Sequence, residues 1–195
     1  MPEEKKRILK KSWREKKWFK IVAPSMFGGT GVGETLALEP EQLIGRVFET
    51  TLGDLIGDFS KSHIKLYFQV SRVDGERAMT DFVGHEMVRD YIRSQVRRRV
   101  GKVDNIQSVV TQDSYKMRVS AMVTTVRRVQ STKLEEIRRE MRKVIEARAD
   151  GRTFDQFIHE MVLGKLSSDI YKAVKRYCPI HKVEVYKSKV LSRPA

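Results

Sequence analysis

Three side chains within six residues, His85, Glu86 and Asp90, come nearest to a metal or general-base cluster. A zinc-protease pair needs a second histidine one helical turn on, as in His-Glu-x-x-His, so that both imidazoles face one ion. That position is Arg89 here. The three are expected instead as exposed polar groups at a helix start, where the macrodipole favours the acids. Asp54 and Asp58 are the remaining carboxylates with a spacing that could hold magnesium beside phosphate. A solvated acidic loop is the plainer account of them. A metal-dependent RNA-cleaving enzyme built on the pair stays as an alternative.

The run FGGTGVGET, Phe27 to Thr35, invites a phosphate-loop reading. Such a loop needs a lysine after its last glycine to reach the β and γ phosphates, whereas Gly33 is followed by Glu34, which repels them. A loop needing positive φ accounts for the glycines. His63, His159 and His181 lack ligand spacing, and no serine sits in a nucleophile elbow. The single cysteine, Cys178, forms neither an internal disulfide nor a cysteine zinc cluster and is expected to be packed, in a reducing cytosolic setting. These residues favour binding over catalysis, with no cofactor and no metal.

Positive charge is what the chain has in excess. Lys and Arg number 39 against 25 Asp and Glu, a net +14 with a pI near 10, which points to phosphate backbones or an anionic membrane. No apolar run approaches the ~18 residues of a spanning helix and no interfacial apolar face is sustained, so nucleic acid is the expected partner and membrane is not. The cations fall in four segments. Residues 1–20 hold nine Lys/Arg and three Glu, with aromatics among them. There Lys5, Lys6, Arg7, Lys10, Lys11, Trp13, Arg14, Lys16, Lys17, Trp18 and Lys20 read as RNA contacts, aromatics stacking on bases. The second segment is Arg89, Arg93, Arg97, Arg98, Arg99 and Lys102; the third is Arg127 with Arg128. The fourth is Lys182, Lys187, Lys189 and Arg193, of which Lys187 and Lys189 are taken as contacts. Between the first and second, Ile21 to Ser60 carries six acids against Arg46 alone, which suits a basic protein neighbour.

The elements that must position these groups follow from periodicity. The second segment reads as the end of an amphipathic helix, His85 to Val100, with Val88, Ile92, Val96 and Val100 as one stripe and Arg89, Arg93 and Arg97 beside it. Ile44 to Thr50 is a plausible strand, and His63 to Ser71 alternates as a strand with one buried face. Asp74-Gly75 favours a type I′ turn into a returning strand, Arg77 to Val83. Ile106 to Gln112 and Tyr115 to Arg128 form a second hairpin about Asp113-Ser114, its outer face basic through Lys116 and Arg118. Three helices follow, the first two with capping-box spacing at Thr132/Glu135 and Thr153/Gln156, then a last strand, His181 to Val190. The expected fold is α+β: a barrel-like, mostly antiparallel β core with a basic helix inserted between hairpins and a helical C-terminal third. Residues 1–12 are expected as a basic arm and 13–195 as a single RNA-binding domain, long enough to bury about 70% of its unfolded surface.

Collinear fragments give a further reading. Lys17-Trp18-Phe19-x-Ile21-x-Ala23-Pro24, Gly33-Glu34-Thr35 and Pro40-Glu41-x-Leu43-Ile44-Gly45-Arg46-Val47 are followed by Ser60-Lys61, Ile64-Lys65-Leu66, Phe82-x-Gly84 and Arg89-Asp90. Thr111-x-Asp113-x-Tyr115, Ile137-Arg138-x-x-Met141, Asp169-Ile170 and Val183-x-Val185 complete the set. Together they resemble the archaeal and eukaryotic small-subunit ribosomal protein family called S-one-e or S-three-a-e, in its archaeal form, from about Trp13 to Lys189.

The resemblance implies a non-enzymatic ribosomal protein on the platform of the small subunit, in cytoplasmic ribosomes. It also implies small-subunit rRNA and neighbouring ribosomal proteins as partners, with messenger near its exit and initiation factors as further contacts. Two departures stand out. Ser114 replaces an expected glycine, which puts a positive-φ turn in doubt, and Tyr177-Cys178-Pro179 stands where an Ile-Tyr-Pro run is expected. A protein-interaction module docking basic partners through Ile21 to Ser60 remains a further alternative.

Overall fold

The computed structural model describes residues 16–194. The arm expected at residues 1–12, and with it Lys5, Lys6, Arg7, Lys10, Lys11, Trp13 and Arg14, lies outside them. The described strands are β1 (Lys17–Val22), β2 (Gly31–Ala37), β3 (Val47–Thr51), β4 (Ile64–Asp74), β5 (Arg77–Met87), β6 (Lys102–Val110), β7 (Lys116–Thr125) and β8 (Ile180–Ser192). The helices are α1 (Leu52–Ile56), α2 (Arg89–Gln95), α3 (Ser131–Asp150), α4 (Phe154–Val162) and α5 (Lys165–Val174).

Strand β5 is the hub. One edge pairs antiparallel with β4; the other pairs first with β1, in parallel, and then with β8, antiparallel, at Gly84 to Glu86. Eleven residues of strand are long enough to serve two partners in succession on one edge. The order is therefore β2-β1-β5-β8-β7-β6, with β4 and β3 branching from β5. The sheet is mixed and does not close, so the expected barrel is an open, branched sheet. At the β5–β8 seam a Cβ on Gly84 would overlap the Ser188 carbonyl oxygen, so this crossing needs glycine.

Alternation works well within hairpins and less well at their ends. Asp74 pairs with Arg77, leaving Gly75-Glu76 as the loop. Of these only Gly75 has positive φ, at 60°, which is the type II′ pattern instead of type I′. The β6–β7 turn does place Ser114 at φ 61°, despite its side chain. Gly31 to Thr35, expected as loop, belongs to β2, which pairs with β1.

The largest departure is the arginine helix. Because Ile64 and Leu66 on β4 need cross-strand partners, β5 continues to Met87 and takes up His85 and Glu86. Only Arg89–Gln95 is helical; Val96 is extended and Arg99 has φ 69°. Continuing the helix would stack Arg89, Arg93 and Arg97 at four-residue intervals, a like-charge arrangement that destabilises it. The stripe of Val88, Ile92, Val96 and Val100 therefore does not form, and Val96 is 41% exposed.

The main core lies between the sheet and α3–α5. Ile137, Met141, Ile145 and Ala149 of α3 meet Phe157, Ile158, Ile170 and Val174 of the other two helices. Phe82 sits between Phe68 and Phe154, and Phe154 stacks on Tyr115 at 4.0 Å. A second, smaller core gathers Phe19, Ala37, Leu43, Val70 and Ala78.

Neither expected capping box forms. Helix α3 starts at Ser131, which puts Thr132 inside it, and the Thr153 side chain makes no cap bond at α4. The Phe154 N–H instead donates to Asp113 Oδ2 at 2.8 Å, so the β6–β7 turn caps α4. Arg148 bridges Glu160 and Asp169, and Arg152 also reaches Glu160, tying the three helices together.

Candidate nucleic-acid interface

Two basic segments that are apart in sequence meet at Gly101. Its carbonyl accepts from Thr125 N–H at 2.8 Å, its own N–H donates to Thr125 Oγ1 at 3.1 Å, and that hydroxyl donates to the Arg127 carbonyl at 2.6 Å. A Cβ on Gly101 would lie 2.6 Å from Thr125 Oγ1, so the approach is close. This knot brings the backbone two residues after Arg99 against the backbone that leads into Arg127 and Arg128, so the two runs start from one end of the sheet. Val126 N–H then donates to the Pro179 carbonyl at 3.0 Å, which adds the end of α5 and the residues after it, Lys175, Arg176 and Tyr177. Helix α2 docks at the same end of the sheet, where Tyr91 contacts Lys182 and donates to Glu184 at 3.0 Å. Lys182 is paired with Thr124, next to Thr125.

The result is a basic pole. Arg97, Arg98, Arg99, Arg127 and Arg128 are exposed, and so are Lys133 and Lys175; none of the seven is in an ion pair among the described residues. Arg93 faces Asp90 at 3.8 Å, and Arg176 faces Glu140 at 3.0 Å. A groove of about 480 Å³ runs through the pole, lined by Val126, Arg127, Arg128, Lys133, Tyr177 and Pro179 among others. Unpaired guanidinium and ammonium groups around an open groove are suited to phosphates.

Other expected contacts lie elsewhere. Lys17, Trp18 and Lys20 are on β1, exposed, with Phe19 turned into the second core; Lys16, just before the strand, is half-buried. Lys102 pairs with Asp104 at 2.9 Å, and Lys187 with Glu86 at 2.9 Å, so both are already partly neutralised. Arg193 faces Asp81 at 2.7 Å. Lys189 is opposite Arg118 across β7 and β8, and with Lys116 these form a smaller basic patch on the sheet's outer face. That face is basic only at one end, since Ser120, Met122 and Thr124 are buried. Sequence reasoning missed Lys133, Lys175, Arg176 and Tyr177 as members of the pole. The Lys175-Arg176-Tyr177 run before Pro179 was the available signal, but the links that join it to the arginines, the Val126–Pro179 bond and the pairing of Thr125 with Ile180, involve uncharged residues.

The candidates for chemistry are occupied as structural groups. His85 is not exposed at a helix start; it is 2% exposed on β5, its Nδ1 2.6 Å from Ser188 Oγ and its Nε2 3.0 Å from the Val185 carbonyl. Burial pushes its pKa down to about 4, so it is neutral at pH 7. Asp54 accepts from the Thr51 hydroxyl at 2.6 Å while Thr51 caps α1. Asp58 accepts from the Ser60 hydroxyl and N–H, which hold its carboxyl below the usual range. Helix α1 ends at Gly57, so the two aspartates do not share a helix face. A cleft of about 260 Å³ contains His63 stacked on Tyr91 at 4.0 Å, with Lys182 and Glu184. Tyr91, Lys182 and Glu184 satisfy one another. Among the described residues no group of three or more His, Cys, Asp or Glu side chains is placed to hold a metal, and no helix is long and apolar enough to cross a membrane. Cys178 is buried, which raises its thiol pKa.

Comparison with known proteins gives a consistent result. The family model described as the Ribosomal S3Ae family matches residues 4–194. The small ribosomal subunit protein eS1 of Methanothrix thermoacetophila is 48% identical over 92% of this chain and 85% of the relative. Its counterpart in Sulfurisphaera tokodaii is 45% identical over 97% and 98%, and that of Desulfurococcus amylolyticus 43% identical over 100% and 92%.

Proposed function

The chain belongs to the Ribosomal S3Ae family, and from that premise we propose that it is a structural constituent of the small ribosomal subunit whose basic pole binds small-subunit rRNA. The observation carrying the RNA-binding step is the convergence of Arg97–Arg99, Arg127-Arg128 and Lys133 with Lys175 at one end of the sheet, without an ion-paired acid among the described residues. Phosphates neutralise the pole, and shape fixes the register more than base edges do. The role is scaffolding, not catalysis: Asp54 and Asp58 are used as turn and cap acceptors. Neighbouring ribosomal proteins meet the acidic side, residues 21–60. The platform position near the messenger exit, in cytoplasmic ribosomes, belongs to the same reading.

The test is assembly. Arg97→Glu, Arg98→Glu and Arg127→Glu together are expected to abolish retention in salt-washed small subunits while the free chain melts unchanged. Retention equal to wild type would show that the pole does not face RNA. With about six to ten phosphates engaged, affinity is expected to fall by roughly 10³ to 10⁵ between 50 and 200 mM salt.

A further inference from the structure

The groove in the pole differs from the charged surface around it, because it joins cations to an ordered ring and an apolar floor. Arg127, Arg128 and Lys133 contribute three positive charges to its lining and no acid contributes a negative one. Val126, Val129 and Pro179 supply apolar surface, with Val126 half exposed. The Tyr177 ring lines the groove and is braced from outside it. The Arg176 guanidinium carbon lies 4.8 Å from the ring centroid, and Arg176 Nη2 donates to Tyr177 Oη at 2.9 Å. Glu140 holds that same guanidinium at 3.0 Å, and Lys143 in turn holds Glu140 at 3.3 Å. The ring is thus fixed before any ligand arrives.

A duplex presents phosphates to a surface and keeps its bases stacked inside; only an unpaired nucleotide has a free π face to lay on a ring. Resting on the RNA-binding reading, we infer that this groove seats one unpaired nucleotide of an RNA strand. Its base lies on Tyr177, and its flanking phosphates lie on Arg127, Arg128 and Lys133. At about 480 Å³ the groove has room for a base with its ribose. Guanidinium and phenol stacked in series strengthen the platform, since the cation polarises the ring that receives the base.

The experiment compares a short fluorescein-labelled single-stranded RNA with a duplex of equal length, titrated with the full chain. Tyr177→Ala is expected to lower single-strand affinity about 5- to 150-fold, the range for losing one base–aromatic stack. It should leave duplex affinity and the salt slope unchanged, while Tyr177→Phe keeps the single-strand affinity. Equal losses on both RNAs, or no loss, overturn the seat while leaving phosphate binding by the pole intact. If wild type holds neither RNA, the RNA-binding reading fails and the seat with it. Should Tyr177→Ala not fold, photocrosslinking of 4-thiouridine RNA to the wild-type chain decides: adducts on the peptide containing Tyr177 support the seat. Adducts confined to Arg97–Arg99 overturn it.

Discussion

The basic pole and the acidic side, residues 21–60, use charge in opposite ways. At the pole, seven cations have no ionic partner among the described residues and sit on the main core, through Thr125, Ile180 and Val174. On the acidic side half of the six charges are spent locally, Asp54 and Asp58 on caps and turns and Glu49 on Lys65 at 2.6 Å, while Glu34, Glu39 and Glu41 stay exposed as a rim. That side also leaves apolar surface open. Phe59 is 87% exposed, with Ile44, Val47 and Ile56 also uncovered. Unspent charge on a rigid base suits a polyanion, whereas apolar knobs with an acidic rim suit a basic protein surface. The small core of Phe19, Ala37, Leu43, Val70 and Ala78 beneath the acidic side is also the weaker support.

That contrast can be broken most strongly at the cores. Within the range of about 2–5 kcal/mol for truncating a buried leucine, Leu66→Ala in the main core is expected near the top and Leu43→Ala in the smaller core near the bottom, read by urea unfolding. Equal costs would make the supports equivalent. Next is acid. Because the His85 pKa is about 4 when folded and 6.5 in its ordinary state, the unfolded chain binds the extra proton. Stability is therefore fully present above pH 6.5 and lost as pH falls towards 4, by about 3 kcal/mol in all. His85→Asn should flatten that part of the pH profile.

A smaller effect sharpens the charge comparison. Arg97→Glu, Arg98→Glu and Arg127→Glu together should reduce the salt slope of single-strand binding by about 2, whereas Glu34→Gln with Glu41→Gln leaves it unchanged. The smallest concerns a spent charge: Glu49→Gln should change stability by less than about 1 kcal/mol, since its pair with Lys65 is exposed.

Much of this was legible in sequence. The alternation of Ile64, Leu66, Phe68 and Val70 located β4 correctly, and the i, i+4 stripe of Ile137, Met141 and Ile145 located α3. Local patterns failed where partners are remote. Glu86 pairs with Lys187 across the β5–β8 seam, and nothing near Glu86 announces a strand. Likewise Asp113 caps a helix that begins 41 residues later. The pole was visible as separate basic runs, but its assembly depends on Thr125 and Pro179, residues without charge. Tyr177 acquires meaning only beside them.

The branching at β5 also orders events in time. Strand β8, the last of the described strands, is not an edge strand; it fills the place between β5 and β7. As the chain leaves its own synthesising ribosome, two partial sheets must wait with facing edges unpaired until residues 180–192 emerge. Exposed edges of that kind recruit other strands, and pairings so distant in sequence close slowly. The nascent chain is most vulnerable just before β8 closes the gap.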